Sequence, residues 1–551
     1  MSLMGSLYTG VSGLQTSNNA LNTTAHNMSN MDTAGYTRQQ VSQATRSYVT
    51  IEKNNKTNWK QLGLGVNYSR TRQERDYFLD KNYRREAGRN SFYEVSAFTM
   101  EEIEYILGES ESGGSIEGHE FSESISNFWV AVQELSKDPT SSVNQNLFVT
   151  RAYEFIERAS AVYTSLCQYQ DNLNQTAVKE VNKINSYAQE IEDLNRMIVK
   201  TEAGGVEHAN DLRDRRNYLL DELGKMGNIS YSEDTLGYMT VKFEGIDLVK
   251  GSMVNRVELY TDPKTGFYTP YWKMLAHCDY DEKGNIVVTK EGIEGAEVFD
   301  LTAVVSSDRN TDIGSLKAML LARGDHRATY SELKDINTDG EYQEGWYNNN
   351  VSQSIIMNIQ AEFDQLVNAV ATKINSILAE EAEKAGPAGV SDYLRDENGD
   401  PYQLFVKKID TDDWTVSNIL INQELRQNPA LLKFRKEEHS EDNPLTERLK
   451  AAFEEKIYTL NPKVETPLCF RDYYTNLVAQ VANGGSVFRG IQETQIQTTD
   501  ALYNAREQIV GVSSDEELTN MIRYQNAYNA SSRYINVISE MLEHILTTLG
   551  R

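Results

Sequence analysis

The sequence is poor in cysteine and lacks long apolar runs. Its 551 residues include only Cys167, Cys278 and Cys469, which are far apart and odd in number. Because no CxxC pair occurs, neither a disulfide framework nor a zinc knuckle is supported. No apolar stretch approaches the ~18 residues of a membrane span. The first residues also lack the basic and apolar regions of a cleavable secretory signal, so export would use another route.

Positive charge is also scarce. Lys and Arg number 54 against 81 Asp and Glu, which gives a net charge of −27. A polyanion of this size repels phosphate backbones and anionic lipid, and no basic stripe offsets that repulsion. We therefore expect neither nucleic acid nor a membrane among its partners. The length predicts three or four domains of ~100–200 residues each.

Motifs for catalysis and cofactor binding are missing as well. The seven His residues show no HxxH or HExxH spacing, and there is no GxSxG, no Walker loop and no GxGxxG after a strand. We expect no catalytic residue and no cofactor. One weak calcium-loop candidate has Asp335, Asn337 and Asp339 at its first, third and fifth positions. Its twelfth position, which needs a bidentate Glu, is Trp346, so a surface turn is favoured.

What is present lies first at the N-terminus, where an uncharged segment has helical periodicity. No Asp, Glu, Lys or Arg precedes Asp32. Apolar and small residues recur there at alternating spacings of three and four, which predicts a helix with a heptad seam. The seam consists of Met4, Leu7, Val11, Leu14, Asn18, Leu21, Ala25 and Met28.

The C-terminus repeats this pattern. Ser513 and Ser514 each precede a Glu by three residues, which is the capping-box spacing of a helix start. The seam that follows consists of Met521, Tyr524, Tyr528, Ser531, Ile535, Ile538, Leu542, Ile545 and Leu549. Its flanks carry Ala527, Tyr534, Met541 and Leu546 instead of the Glu and Lys usual in a two-stranded coiled coil. This apolar stripe is too wide for one partner helix.

The sequence of these ends allows three interpretations. The first is that they are two core helices of one globular domain. The second is a membrane anchor, but an anchor needs a Lys/Arg-rich polar face that the N-terminal helix lacks. The third is that neighbouring subunits complete them. We expect loose ends that order on assembly, since burying a Leu gains ~1.5–3 kcal/mol while fixing each backbone residue costs ~1–2 kcal/mol.

The segment "NMSNMDTAGYTRQ" resembles the N-terminal signature of the bacterial flagellar axial proteins. The matching positions are Asn27, Asn30, Thr33, Gly35, Tyr36 and Arg38, while Asp32 stands where the family usually has Asn. Gly35 is expected to stop the helix in a left-handed conformation, which frees Tyr36 to pack back as an anchor. The tail "GVSSDEELTNMIRYQNAYNASSRYI" resembles the hook-associated branch of that family, as do "HANDLRDRRNYLLDEL", "SNILINQELRQNPALL" and "FRDYYTNLVAQV".

The resemblance implies a structural adaptor that joins flagellar hook to filament and catalyses nothing. Its implied partners are copies of itself in a ring, the hook protein, the second junction protein and an export chaperone on the C-terminal helix. It implies an extracellular location on the flagellum, reached by type III export without a cleavable signal. The alternatives are another axial protein of hook or rod type, or a secreted enzyme on an axial scaffold.

Between the ends, the sequence predicts a mainly α fold with inserted β. Two apolar seams with helical spacing predict long helices, at Ala177–Ile198 and Ile355–Leu378. Together with predicted helices at 85–107 and 123–136, they indicate a helical bundle. "YMTVKFEG", "VNRVELYTDPKTGFYTPYW" and "DEKGNIVVTK" predict strands and hairpins, with Tyr260, Phe267, Tyr268, Tyr271 and Trp272 in or beside their core. The predicted domains are an axial helix and strand, 1–45, paired with an axial helix, 510–551; a bundle, 46–227, 312–381 and 404–509; a β domain, 228–311; and a loop, 382–403.

Overall fold

Long α-helices dominate the computed structural model, and short antiparallel strands accompany them, which confirms the mainly α fold with inserted β. The structure describes residues 3–55, 58–108, 121–205, 207–277, 279–280, 286–385, 393–396, 398–432 and 444–549. Within that part of the chain, no helix is both long and apolar enough to cross a membrane.

The helices fall into a terminal pair and an inner set. The terminal helices are α1 (Leu3–Ser29) and α12 (Ser514–Leu549). The inner helices are α2 (Tyr77–Ile106), α3 (Phe121–Lys137), α4 (Ser142–Glu202), α5 (Asn210–Met226), α6 (Lys290–Ile293), α7 (Ser315–Arg323), α8 (Ile355–Ala385), α9 (Gln423–Gln427), α10 (Pro444–Glu454) and α11 (Phe470–Val510). One π-helical turn covers Tyr347–Val351.

The described strands all pair antiparallel. β1 (Gln39–Thr45) pairs with β4 (Val66–Gln73), and β2 (Val49–Asn55) pairs with β3 (Asn58–Leu62). A four-stranded sheet has the order β5 (Ile229–Glu233), β6 (Met239–Phe243), β7 (Ile246–Lys250) and β8 (Met253–Val254). The remaining pairs are β9 (Val257–Thr261) with β10 (Tyr268–Trp272), β11 (Asp279–Tyr280) with β12 (Ile286–Val287), and β13 (Phe405–Lys407) with β14 (Ile419–Ile421).

The largest hydrophobic core lies among α3, the first half of α4, α8, α10 and the first part of α11. The predicted seams of α4 and α8 are buried, as Ile184, Ile191, Phe363 and Ile374 show. Predicted helices at 85–107 and 123–136 are also confirmed as parts of α2 and α3. However, α4 begins at Ser142 rather than near Leu173, where the predicted seam begins. The side chain of Ser141 caps this helix by accepting a hydrogen bond from the Asn144 N–H.

A second core joins strands of the predicted inserted β domain, 228–311, to helices. Its members come from β6, β7, β9 and β10 but also from the second half of α4, α5 and α7. Val241 and Leu248 therefore pack in the same cluster as Ile184, Leu219 and Leu316. Phe267, Tyr271 and Trp272 are buried as predicted, while Tyr260 and Tyr268 are half-buried.

At the start of the predicted bundle, 46–227, the described residues include the strands β2, β3 and β4. β4 pairs with β1, so β1 to β4 form two connected antiparallel pairs between α1 and α2. Polar residues make up most of β2, β3 and β4. These segments therefore lack the alternation of apolar and polar residues from which a strand is predicted. In the predicted loop 382–403, α8 continues to Ala385, and the later described residues include buried Leu394 and Tyr402.

Candidate assembly interface

The terminal helices α1 and α12 pack against each other as an antiparallel pair. Gly10 of α1 lies against Ile535, and Gly13, one turn further on, lies against Ser531. A Cβ added at Gly10 would meet Ile535 Cγ1 at 2.8 Å, and one at Gly13 would meet Ser531 Oγ at 2.9 Å. The two helices approach this closely only because α1 has glycine at both positions.

Small polar residues form the most deeply buried face of α1, which lies toward β1 and β4. Ser12 accepts a hydrogen bond from the Val66 N–H at 3.3 Å. Asn27 donates to the Gln39 carbonyl at 2.9 Å and accepts from the Gln39 N–H at 3.1 Å. The buried side chains along this face are Ser12, Thr16, Ala20, Thr24 and Asn27, at spacings of three or four.

The predicted apolar seam of α1 is thus a different face from the one the molecule buries. Leu7, Leu14, Leu21 and Met28 are half-buried, and Val11 is 38 % exposed. Asn18 and Ala25 are exposed as well. Most of the predicted seam therefore lacks full cover within the described chain.

The seam of α12 is covered more completely, since it faces α1. Ile538 is buried, Ile545 is exposed, and the side chain of Leu549 lies outside the described part of the chain. The other apolar members are half-buried: Met521, Tyr524, Tyr528, Ile535 and Leu542.

Beside this seam lies an exposed apolar stripe, which we call the outer stripe of α12. It consists of the flanking residues Tyr534, Val537 and Met541 together with the exposed seam residue Ile545, which are 37–51 % exposed and share a face because they recur at three and four. Of the other flanking residues predicted, Leu546 is 73 % exposed. Gly10 of α1 approaches the ring of Tyr534, but about half of each side chain in the outer stripe stays exposed within the described chain, as a pattern too wide for one partner helix predicts.

A tight turn connects α1 to β1 and contains the signature residues. α1 ends at Ser29, so Gly35 does not itself stop the helix, but its φ of 79° confirms the predicted left-handed conformation. Thr33 donates to Asn30 Oδ1 at 3.3 Å. The Tyr36 hydroxyl donates to Asn27 Oδ1 at 2.8 Å, so Tyr36 does pack back onto α1 as an anchor.

Charged residues fix this turn to α5 and to the start of α12. The Thr37 N–H donates to Asp214 at 3.1 Å. Arg38 pairs with Glu516 at 2.7 Å and Glu517 at 2.9 Å, while its backbone N–H donates to the Val510 carbonyl. The segment "HANDLRDRR" therefore has a structural role: its acidic residues hold the turn.

Further ion pairs join the same region to α2 and α11. Arg506 lies between Asp221 at 2.7 Å and Asp80 at 3.3 Å, and Arg84 also pairs with Asp221 at 2.6 Å. We call Arg38, Asp80, Asp214, Asp221, Arg506 and Glu517 the polar joint. Burial raises the pKa of Asp214 to about 6. Burial also acts to raise the pKa of Asp221, but Arg84 and Arg506 hold it below its ordinary value.

The calcium-loop candidate forms a turn in which its side chains bind backbone. Asp335 accepts from the Tyr347 N–H at 3.0 Å, and Asn337 accepts from the N–H groups of Asp339 and Glu341. Among the residues that the structure describes, no three His, Cys, Asp or Glu side chains cluster as a metal site would. Cys167 and Cys469 are free thiols, and Cys278 lies outside the described residues.

Three family models match the chain. The model described as flagellar hook-associated protein FlgK helical domain matches residues 100–391, which is more than half of the chain. The model for the C-terminal part of the flagellar basal body rod FlgEFG protein matches 508–548, and the flagella basal body rod protein model matches 7–37. The rod models thus match the helix pair, and the hook-associated model matches the part of the chain that contains α3 to α8.

Individual relatives match along nearly the whole chain. The flagellar hook-associated protein 1 of Bacillus subtilis is 26% identical, with 96% of this chain and 95% of that protein covered. Its counterpart in Salmonella typhimurium is 23% identical, with 97% and 98% covered. The solved flagellar hook junction protein FlgK from Burkholderia pseudomallei gives a TM-score of 0.39 at 15% identity, covering 59% of this chain and 46% of that one.

Proposed function

Since the chain belongs to the flagellar hook-associated protein FlgK family and is a structural component of the bacterial flagellum, we propose that it joins hook to filament through α1 and α12. The polar joint orients this helix pair relative to the bundle. Neighbouring subunits complete the outer stripe of α12 and the seam of α1. The protein then acts as an adaptor and catalyses no reaction.

The exposed outer stripe of α12 is the observation that carries this proposal. Four apolar side chains recur along a face of α12 that adjoins the face packed against α1, and they are 37–51 % exposed. Full burial of each such side chain in a neighbour gains ~1.5–3 kcal/mol. An apolar stripe of this kind is typical of an assembly surface.

Charge also supports assembly through the ends of the chain. Copies that each carry −27 repel one another. α1 has no Asp, Glu, Lys or Arg, so neighbours can approach it without burying a charge. We propose that the partners are copies of this chain in a ring, the hook protein and the second junction protein.

Export is the remaining part of the proposal. The outer stripe would associate with other apolar surfaces before assembly, so a chaperone on α12 would protect it. We propose that the protein leaves the cell through the flagellar type III channel. Its final location is then extracellular, on the flagellum.

Deletion of residues 512–551 tests the adaptor role. The large core draws no residue from α12, so the truncated protein should remain folded and soluble. It should fail to support filament growth on hooks in a strain that lacks the parent protein. Normal filaments with the truncated protein would overturn the proposal.

A double substitution tests the outer stripe more sharply. Val537→Glu with Met541→Glu places two charges on it without touching the core. Val130→Glu with Val143→Glu is a matched control, since those valines are exposed on α3 and α4. We expect only the first pair to abolish filaments, with both variants retaining the helical content of the parent.

A further inference from the structure

A cavity of about 460 Å³ lies away from the helix pair, between the β9–β10 hairpin, α7 and the π-helical turn. Its volume is typical of sites that hold small molecules. Residues of α1 and α12 do not line it, so the assembly interface gives it no role. Apolar side chains contribute part of the lining, including Ile293, Phe299 and Leu320.

Arg323 lines this cavity although it is only 2 % exposed. Its Nε donates to the Gly324 carbonyl at 2.8 Å, and its Nη1 donates to Tyr268 O and to Asn174 Oδ1. Its guanidinium carbon lies 4.9 Å from the centre of the Phe267 ring. These contacts give Arg323 a structural role, fixing the hairpin to α4 and α7.

That structural role leaves part of the guanidinium unused. Nη2 makes no hydrogen bond to the described residues. The nearest described carboxylate that acts on its charge belongs to Asp325, which also lines the cavity and pairs with His326. Burial lowers the pKa of Arg323 to about 10, so the group is still charged at neutral pH. A buried cation with a free donor pair favours a carboxylate ligand.

Carboxylates at the same cavity supply the opposite charge. Oδ1 of Asp300 accepts from the N–H groups of Thr302 and Ala303, which fixes the side chain. Glu297 also lines the cavity, and burial together with the nearby charges of Glu294 and Asp300 raises its pKa although the charge of Lys290, which lines the same cavity, opposes them. A cation placed beside Glu297 and Asp300 would relieve this repulsion.

We propose that the cavity binds a free α-amino acid with an apolar side chain. Its carboxylate pairs with Nη2 of Arg323, and its ammonium group pairs with Asp300 and Glu297. Its side chain packs among Ile293, Phe299 and Leu320. Both charges of the ligand are needed, because the lining presents both signs.

Calorimetric titration of the full chain tests the charge requirement. The probes are L-leucine, 3-methylbutylamine, which lacks the carboxylate, and 4-methylpentanoate, which lacks the ammonium group. We expect leucine to bind and both analogues to bind at least about tenfold more weakly. Absence of leucine binding, or equal binding of either analogue, would overturn the proposal.

Substitution of Asp300 tests the placement of the ammonium group. Asp300→Asn keeps an oxygen that can cap the turn but removes the charge, so leucine should bind about tenfold more weakly. Asp396→Asn is the matched control, since Asp396 caps a similar turn through Asn398 and Asp400 outside the cavity. An equal effect of the two substitutions would contradict this placement, and neither bears on filament assembly.

Discussion

Gly35 meets two constraints at once in the turn after α1. Its φ is 79°, and an added Cβ would lie 2.9 Å from Cβ of Tyr218 on α5. Gly35→Ala should therefore lower the free energy of unfolding by about 1–2 kcal/mol through backbone strain alone, and further through the contact with α5. Denaturant unfolding followed by circular dichroism measures the change.

Gly245→Ala provides the control for this substitution. Gly245 has a φ of 83° but no atom within 4 Å of an added Cβ, so only the backbone strain applies. Equal losses at Gly35 and Gly245 would show that close packing of the turn against α5 contributes nothing.

Glu362 predicts a pH dependence of stability. It is fully buried in α8 and accepts hydrogen bonds from the side-chain amides of Asn358, Asn461 and Gln480. Burial raises its pKa from 4.5 to about 7. The folded state therefore binds more protons between these pH values, and the free energy of unfolding falls as the pH rises through that window.

Glu362→Gln should remove this part of the pH dependence, on the order of 3 kcal/mol between pH 4.5 and 8. Unfolding curves at several pH values measure it. Glu94→Gln, on the exposed side of α2, should retain the slope of the parent. A Glu362→Gln profile parallel to that of the parent would show that Glu362 keeps its charge in the folded state.

At the scale of the element, glycine sets the spacing between α1 and α12. Gly10→Val would place side-chain carbons where Ile535 Cγ1 now lies, so the helices must separate or shift. We expect faster amide exchange in both helices. Gly490→Val makes the same change in α11 at a position where an added Cβ meets nothing within 4 Å. It should leave α1 and α12 unchanged, whereas identical exchange in the two variants would contradict close packing at Gly10.

The sequence predicted well those helices whose apolar faces pack against other parts of the same chain. The seams of α4 and α8 could be predicted because apolar residues such as Ile184 and Phe363 face a core within the chain and recur with helical period. α1 was harder, since it buries Ser12, Thr16 and Thr24, which have no apolar period. The polar joint was missed because Arg38, Asp80, Asp221 and Arg506 meet only after folding, and charge spacing does not show pairs between distant segments.

At the scale of the whole molecule, the structure predicts two levels of stability. The inner helices surround large cores of fully buried side chains, whereas α12 contacts chiefly α1, and α1 contacts chiefly α12, β1 and β4. Local opening costs least where buried apolar contacts are few. Amide exchange of the isolated protein should therefore be fast in α1 and α12 and slow in α4 and α8. The sequence predicts the same difference, because it indicates terminal helices that become ordered only on assembly.

A disulfide between the terminal helices would test whether their exchange reflects separation of the pair. A Cβ added at Gly13 lies 3.7 Å from Cβ of Ser531, within the range of a disulfide. Gly13→Cys with Ser531→Cys should, when oxidised, slow exchange in α1 and α12 and leave α4 and α8 unchanged, while the reduced form exchanges more like the parent. If oxidation left the exchange of α1 and α12 unchanged, opening of the pair would not limit it, and each helix would unfold without leaving the other.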